Sequence, residues 1–237
     1  LLHDDVVDAA QLRRGETSAN VVFGNKATVL MGDYLLSKMI EVCTKEKEFK
    51  LLEIIPTTLV SLSKGELIQL NATKESEFSV AQLTKVAALK TGSLLKASCL
   101  AGAYSAGLQE EDEQVWVDFA ENLGIAYQIK DDIIDYVENG KEQFKDIKEG
   151  KVNIPMALAL ESADKETAAH ILELIKDKEN FKANIVEITT FLNTQNGVQL
   201  AENLQDKFTE KAVVELHKMN NSEDLIAFTE KIAKRTF

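Results

Sequence analysis

The chain has 237 residues, 45% of them hydrophobic and 28% charged, the composition of a globular protein with a sizeable core. A net charge of −12 argues against nucleic acid and against electrostatic docking on anionic lipid, but leaves room for a phosphate ligand bridged by metal ions. Cys43 and Cys99 form neither a metal-like spacing nor a disulfide framework, and no apolar run is long enough to span a membrane, so the expected setting is cytoplasmic.

Two prolines and eleven glycines over this length favour long helices. The opening "LLHDD" has no Met and no helix cap, so it reads as a helix entered midway, with the first helices of the protein expected upstream. "ATVLMGDYLLSKMIEVC" (27–43) is apolar nearly all round, as for a helix buried in a bundle, and without upstream helices its flank would be exposed. Helices are expected at 49–71, with Pro56 a kink or early-turn residue, at 79–106, whole or broken, and at 112–137. The acidic "QEEDEQ" (109–114) suits a solvated helix start. After a polar loop at 138–151, "VNIPMALALESA" restarts the pattern, followed by 165–176, 181–194, 198–219 and 222–235. No strand alternation stands out. The reading is one all-α domain over 1–237, a single large helical bundle.

"DDVVD" (4–8) and "DDIID" (131–135) share one pattern. With fourteen aspartates in the chain, one such motif arises by chance in roughly one chain in twenty, and a matched pair far more rarely. Residues four apart share a helix face, so Asp4 and Asp8 lie together, as do Asp131 and Asp135. Asp5 and Asp132 sit one step round. Like charges at this spacing repel unless something offsets them. All the donors are hard carboxylate oxygens with no Cys or His cluster, which selects Mg²⁺ over zinc. Mg²⁺ keeps waters and takes substrate phosphate as co-ligand. Two acidic faces opposed across a bundle would form a magnesium–diphosphate clamp.

Basic residues follow each motif. Arg13 and Arg14 stand at an expected helix end before Gly15, fit either for bidentate phosphate contact or for compensating the helix dipole. Lys90 and Thr91 interrupt an apolar helix, where the lysine either meets a ligand anion or snorkels. Gln128 lies one turn before Asp132, and Lys148 and Lys151 fall in the loop after the second motif.

In order along the chain, "LLHDDVVDAAQLRRGETSANVVFGNKATVLMGDYLL", "GELIQL", "KTGSL", "YQIKDDIIDY" and "DIKEGKVNIP" resemble the trans-type polyprenyl diphosphate synthases of the isoprenoid synthase fold. The unexpanded first motif is most similar to the long-chain branch, such as octaprenyl diphosphate synthases. The resemblance implies a prenyltransferase that condenses isopentenyl diphosphate head-to-tail onto an allylic diphosphate, farnesyl or geranyl, by ionisation, condensation and elimination. It implies about three Mg²⁺ per site, held by Asp4, Asp8 and Asp131 with Asp5, Asp132 and Asp135 in support, and a homodimer. Arg13 and Lys90 would contact the allylic diphosphate and Arg14 the isopentenyl diphosphate, with Thr91 and Gln128 lining the reacting end. Lys151 matches the lysine of the family's "EGK". In "GKEQFKD" (140–146) the family pattern GKxxGxD meets Phe144 where glycine is expected. Counting from either side selects Lys141 or Lys145 as the phosphate lysine, and both stay open. Alternatives are a short-chain (geranylgeranyl or farnesyl) synthase, a type I terpene cyclase, which usually lacks a second motif like "DDIID", and a non-catalytic subunit of a heteromeric synthase, which usually loses aspartates.

Overall fold

A computed structural model of the chain describes residues 1–75, 78–137 and 143–235. In chain order they form α1 (Leu2–Val7), β1 (Leu12–Arg13), β2 (Glu16–Thr17), α2 (Ala19–Phe23), α3 (Asn25–Lys45), α4 (Phe49–Glu75), α5 (Val80–Ala87), a π-helical turn (Ala88–Gly92), α6 (Ser93–Ser105), α7 (Glu113–Ile134), α8 (Lys145–Lys148), α9 (Ile154–Ser162), α10 (Lys165–Lys176), α11 (Phe181–Thr194), α12 (Gly197–Leu216) and α13 (Glu223–Ala233). The all-α expectation holds. Among the described residues the only strands are β1 and β2, an antiparallel pair with Leu12 opposite Thr17 and Arg13 opposite Glu16. No described helix is long and apolar enough to cross a membrane. The chain divides into two compact units, Leu1–Ile55 and Pro56–Phe237.

In the first unit, α1 and α2 pack on α3. The approach of α1 needs a glycine: a Cβ on Gly32 would come within 2.5 Å of the His3 ring. His3 also donates through Nε2 to Asp33 Oδ1 at 3.0 Å, which ties α1 to α3. Two expectations fail here. Arg13 and Arg14 do not end a helix, because α1 stops at Val7. Arg14 and Gly15, at φ 54° and 83°, form the two-residue turn of the β1–β2 hairpin, where positive φ at both positions matches the strand twist. And α3 is not buried: only Thr28 and Cys43 are, while Leu30, Tyr34 and Leu35 are exposed. Within this unit its helical neighbours are α1 and α2, of six and five residues, too short to cover more than a strip of a 21-residue helix.

The second unit is built on α7, which buries Phe119, Ala120, Leu123, Ile125, Ile129 and Ile133 on more than one face. One face packs Phe119 and Leu123 with Ala212 and Leu216 of α12, another packs Ile129 and Ile133 with Ile154 of α9 and Ala201 of α12. A further cluster joins Met156, Ile171, Ile188 and Leu192 of α9–α11. Pro155 sits in the first turn of α9, where its missing N–H costs nothing. Asp164 caps α10 by accepting from the N–H groups of Glu166 and Thr167. Pro56 lies inside α4.

Candidate functional site

The first aspartate motif occupies α1. Asp4 and Asp8 are exposed, and the Asp8 N–H, at the helix C-cap, donates to the Asp4 carbonyl at 2.8 Å. Asp5 turns inward, 3% exposed. Its Oδ1 accepts from Arg13 Nε at 2.8 Å and also from Arg13 Nη2. The hairpin therefore returns Arg13 to the motif eight residues earlier, and the Asp5 hydrogen bond holds the Arg13 guanidinium above its ordinary range. Arg14, on the turn, is exposed.

The second motif ends α7. Asp132 is partly buried and sits between neutral donors: Gln128 Nε2 reaches Oδ1 at 3.0 Å and the Ile154 N–H reaches Oδ2 at 3.0 Å. Burial pushes its carboxyl up to about 7, against the pull of those two hydrogen bonds and with Asp146 and Asp131 adding repulsion. Asp135 accepts from the Lys145 and Asp146 N–H groups at 3.0 and 3.2 Å; burial, then Asp146, raise its carboxyl too. Asp131 is 47% exposed and paired with Arg235.

Lys90 and Thr91 stand on the π-helical turn. Such bulges re-aim side chains within a helix and often mark functional positions. The turn meets α7 backbone to backbone, since a Cβ on Gly124 would lie 2.3 Å from Gly92 Cα. That approach brings Thr91 Oγ1 within 2.8 Å of Gln128 Oε1, to which it donates. Lys90 neither snorkels nor stands alone. It donates to Glu66 and, at 2.8 Å, to Gln69 Oε1, both on α4. Lys90, Gln69, Gln128, Asp132, Asp146, Lys151 and Asn153 line one cavity of about 150 Å³ within the second unit, with Leu83, Val86 and Ile154 among its apolar lining.

Three polar lining groups, Gln69, Asp146 and Asn153, lie outside the expected set. Asn153 accepts from the Tyr136 hydroxyl at 2.6 Å and donates to Asp146 Oδ2 at 3.0 Å. Asp146 belongs to "GKEQFKD", where attention falls on the lysines; Glu66 and Gln69 belong to "GELIQL". Lys145 Nζ lies 3.9 Å from Glu149, and Lys151 Nζ 2.6 Å from it. Lys141 lies outside the described residues. Phe144 adopts the left-handed conformation, φ 58° and ψ 31°, which accounts for the glycine expected there. Its ring packs edge-on against Tyr136, 5.9 Å between centroids.

Among the described residues, no three Asp, Glu, His or Cys side chains form a ready-made metal cage. The all-oxygen donor set fits a metal that needs none: Mg²⁺ binds through one or two carboxylates and completes its shell with phosphate and water. Asp4, Asp8 and Asp131 present the exposed carboxylates for such contacts.

Residues 1–192 match the family described as Polyprenyl synthetase. The octaprenyl diphosphate synthase of Haemophilus influenzae is 33% identical over 227 residues, 94% of this chain and 69% of the relative. The crystal structure of a decaprenyl diphosphate synthase from Rhodobacter capsulatus superposes with TM-score 0.91 at 27% identity, covering 100% of this chain and 75% of that one. The polyprenyl synthase from Caulobacter crescentus, crystallised with calcium and isoprenyl diphosphate, gives TM-score 0.87 at 30% identity over 100% of this chain and 74% of that one. With this match over most of its length, and the all-α fold to carry it, the chain belongs to the polyprenyl synthetase family of prenyl-transferring enzymes.

Proposed function

We propose that this prenyltransferase adds isopentenyl diphosphate head-to-tail to an allylic diphosphate, farnesyl or geranyl, and makes a long-chain all-trans polyprenyl diphosphate. The observation that carries the reading is the cavity in which Lys90, Gln128 and Asp132 converge, with Thr91 hydrogen-bonded to Gln128. Asp4 and Asp8 in the first unit and Asp131 in the second would each hold Mg²⁺, about three ions in all as the resemblance implies, with Asp5, Asp132 and Asp135 in support. The Caulobacter crescentus enzyme was crystallised with calcium and isoprenyl diphosphate, which supports the use of a divalent ion with a prenyl diphosphate. When bound, the ions supply charge stabilisation for the leaving diphosphate.

The chain's own residues do the rest. Lys90 would exchange its Glu66 and Gln69 contacts for the allylic diphosphate, a contact the family resemblance also gives Arg13. Arg14 and Lys151 offer charge to the isopentenyl diphosphate, with Lys141 or Lys145 as the loop phosphate lysine. The Thr91–Gln128 pair orients the reacting end. The proton passes to the departing diphosphate, an anionic acceptor already beside the condensation product. Water must be kept from the allylic cation, which the apolar Leu83, Val86 and Ile154 favour. The enzyme works as a homodimer in the cytoplasm, one catalytic domain per chain.

The test is product analysis with labelled isopentenyl diphosphate and farnesyl diphosphate in Mg²⁺ buffer. A linear product of thirty or more carbons, on the order of six or more isoprene units, is expected. A C20 product would establish a short-chain synthase, a cyclic hydrocarbon a terpene cyclase, and no product a non-catalytic subunit.

A further inference from the structure

Arg235 lies just beyond α13 and 104 residues from Asp131 in sequence. Its guanidinium carbon sits 3.5 Å from the centroid of the Tyr127 ring. Nη2 donates to the Tyr127 carbonyl at 3.1 Å and to Asp131 Oδ1. Tyr127 and Asp131 are one helical turn apart on α7, so a single arginine grips two successive turns of one face. The segment carrying it is itself pinned: Gln205 of α12, 4% exposed, donates to the Ala233 carbonyl at 2.8 Å. Arg235 is only 13% exposed and Asp131 is 47% exposed. The arginine thus approaches from the protein side and leaves the carboxylate open to solvent.

Two features set this contact apart from an ordinary surface ion pair. Arg235 Nη1 is buried and has no partner among the described residues. A buried donor left unpaired opposes folding, so the arginine is poorly placed as a mere staple. The acceptor is also the most exposed carboxylate of the second motif, and no described residue donates to its Oδ2.

We infer that Arg235 is the positioning residue of Asp131: it holds Oδ1 from the protein side and leaves Oδ2 open for a metal ion. This rests on the proposed reading of Asp131 as a metal ligand. Partners of this kind orient a ligand, and their removal typically costs about 10- to 100-fold in metal affinity. The opposite device is also physically possible. A resident cation could compete with the metal for Asp131, and its removal would then tighten metal binding. The two have opposite signs.

The experiment measures Mn²⁺ binding to the whole chain by electron paramagnetic resonance, with inorganic diphosphate as co-ligand, beside the Mg²⁺ dependence of turnover. Arg235→Gln should weaken Mn²⁺ binding by about 10- to 100-fold and raise the Mg²⁺ needed for half-maximal rate in parallel. Arg235→Lys keeps the charge but cannot span Asp131 and the Tyr127 carbonyl together, and should lose several-fold; it also serves if the glutamine variant fails to fold. Because Arg235 acts through Asp131, adding Arg235→Gln to Asp131→Asn should cost nothing further. Unchanged or tighter Mn²⁺ binding in either Arg235 variant, beside a weakened Asp131→Asn, would overturn the inference and leave the site reading intact. Unchanged Mn²⁺ binding in Asp131→Asn would overturn both.

Discussion

The two aspartate motifs share a five-residue pattern but are held by opposite electrostatics. In each, the middle aspartate turns toward the protein. Asp5 meets a full counter-ion, Arg13. Asp132 meets only dipoles, the Gln128 amide and the Ile154 N–H, with Asp131 and Asp146 nearby as like charges. An ion pair keeps an enclosed carboxylate charged at the cost of desolvating both partners. Two neutral donors satisfy its oxygens but do not cancel its charge, so burial drives the carboxyl up to about 7. The outer aspartates differ as well. Asp4 and Asp8 are exposed, whereas Asp135 receives two backbone N–H groups at the start of α8 and Asp131 is held by Arg235. The same local motif thus gives a middle aspartate that is counter-charged in the first case and held only by neutral donors in the second.

If both motifs nonetheless carry metal on their exposed carboxylates, Asp4→Ala and Asp131→Ala should each lower kcat by at least ~10²-fold, the scale of losing one strong electrostatic stabiliser. Near-normal turnover in both would end the assignment, and a loss in one alone would make the comparison functional as well as structural.

Stability separates the middle residues. Arg13→Gln leaves Asp5 enclosed without its counter-ion and should cost about 2 kcal/mol, less than a fully buried pair because Arg13 is 39% exposed. Gln128→Leu removes neutral hydrogen bonds and should cost about 1 kcal/mol. Urea unfolding of the two variants ranks them, and the reverse order would break the contrast.

A pH series reads the charge state directly. The Asp132 carboxyl is raised from 3.8 to about 7 in the fold, so from about pH 4 to 7 the folded chain holds a proton that the unfolded chain has released. The stabilisation from this group is complete below about pH 4 and is lost as pH rises through about 7. The raised Asp135 carboxyl acts in the same direction. Metal-free protein should therefore lose melting temperature over that window, and Asp132→Asn should flatten the loss. Equal slopes in the two proteins would show that Asp132 is charged throughout.

The smallest expected effect lies beside the second motif. Phe144→Gly relieves a left-handed backbone, worth about 1–2 kcal/mol, but removes a partly buried ring from Tyr136, which costs about as much. The melting temperature should move by only a few degrees. A large fall would mean that the ring, through Tyr136 and Asn153, holds Asp146 in the cavity.

Helix positions, the oxygen-only chemistry of the repeated motif and the family pattern were legible along the chain because they are local. Period and spacing place α10 at Lys165–Lys176 and α11 at Phe181–Thr194 and put Asp4 beside Asp8. The departure at Phe144 shows in the sequence only through the family pattern, which has glycine there; that the position is left-handed is decided by the structure. Tertiary structure alone decided what each charge meets. Arg13 leaves its expected helix end for a hairpin that returns it to Asp5. Lys90 is claimed by α4, and the Gln128 amide by Asp132 and Thr91. Arg235 reaches Asp131 across 104 residues. Helical periodicity states which side chains share a face, but the partner of a buried charge is set by which distant element packs against that face, and packing carries no spacing of its own along the chain.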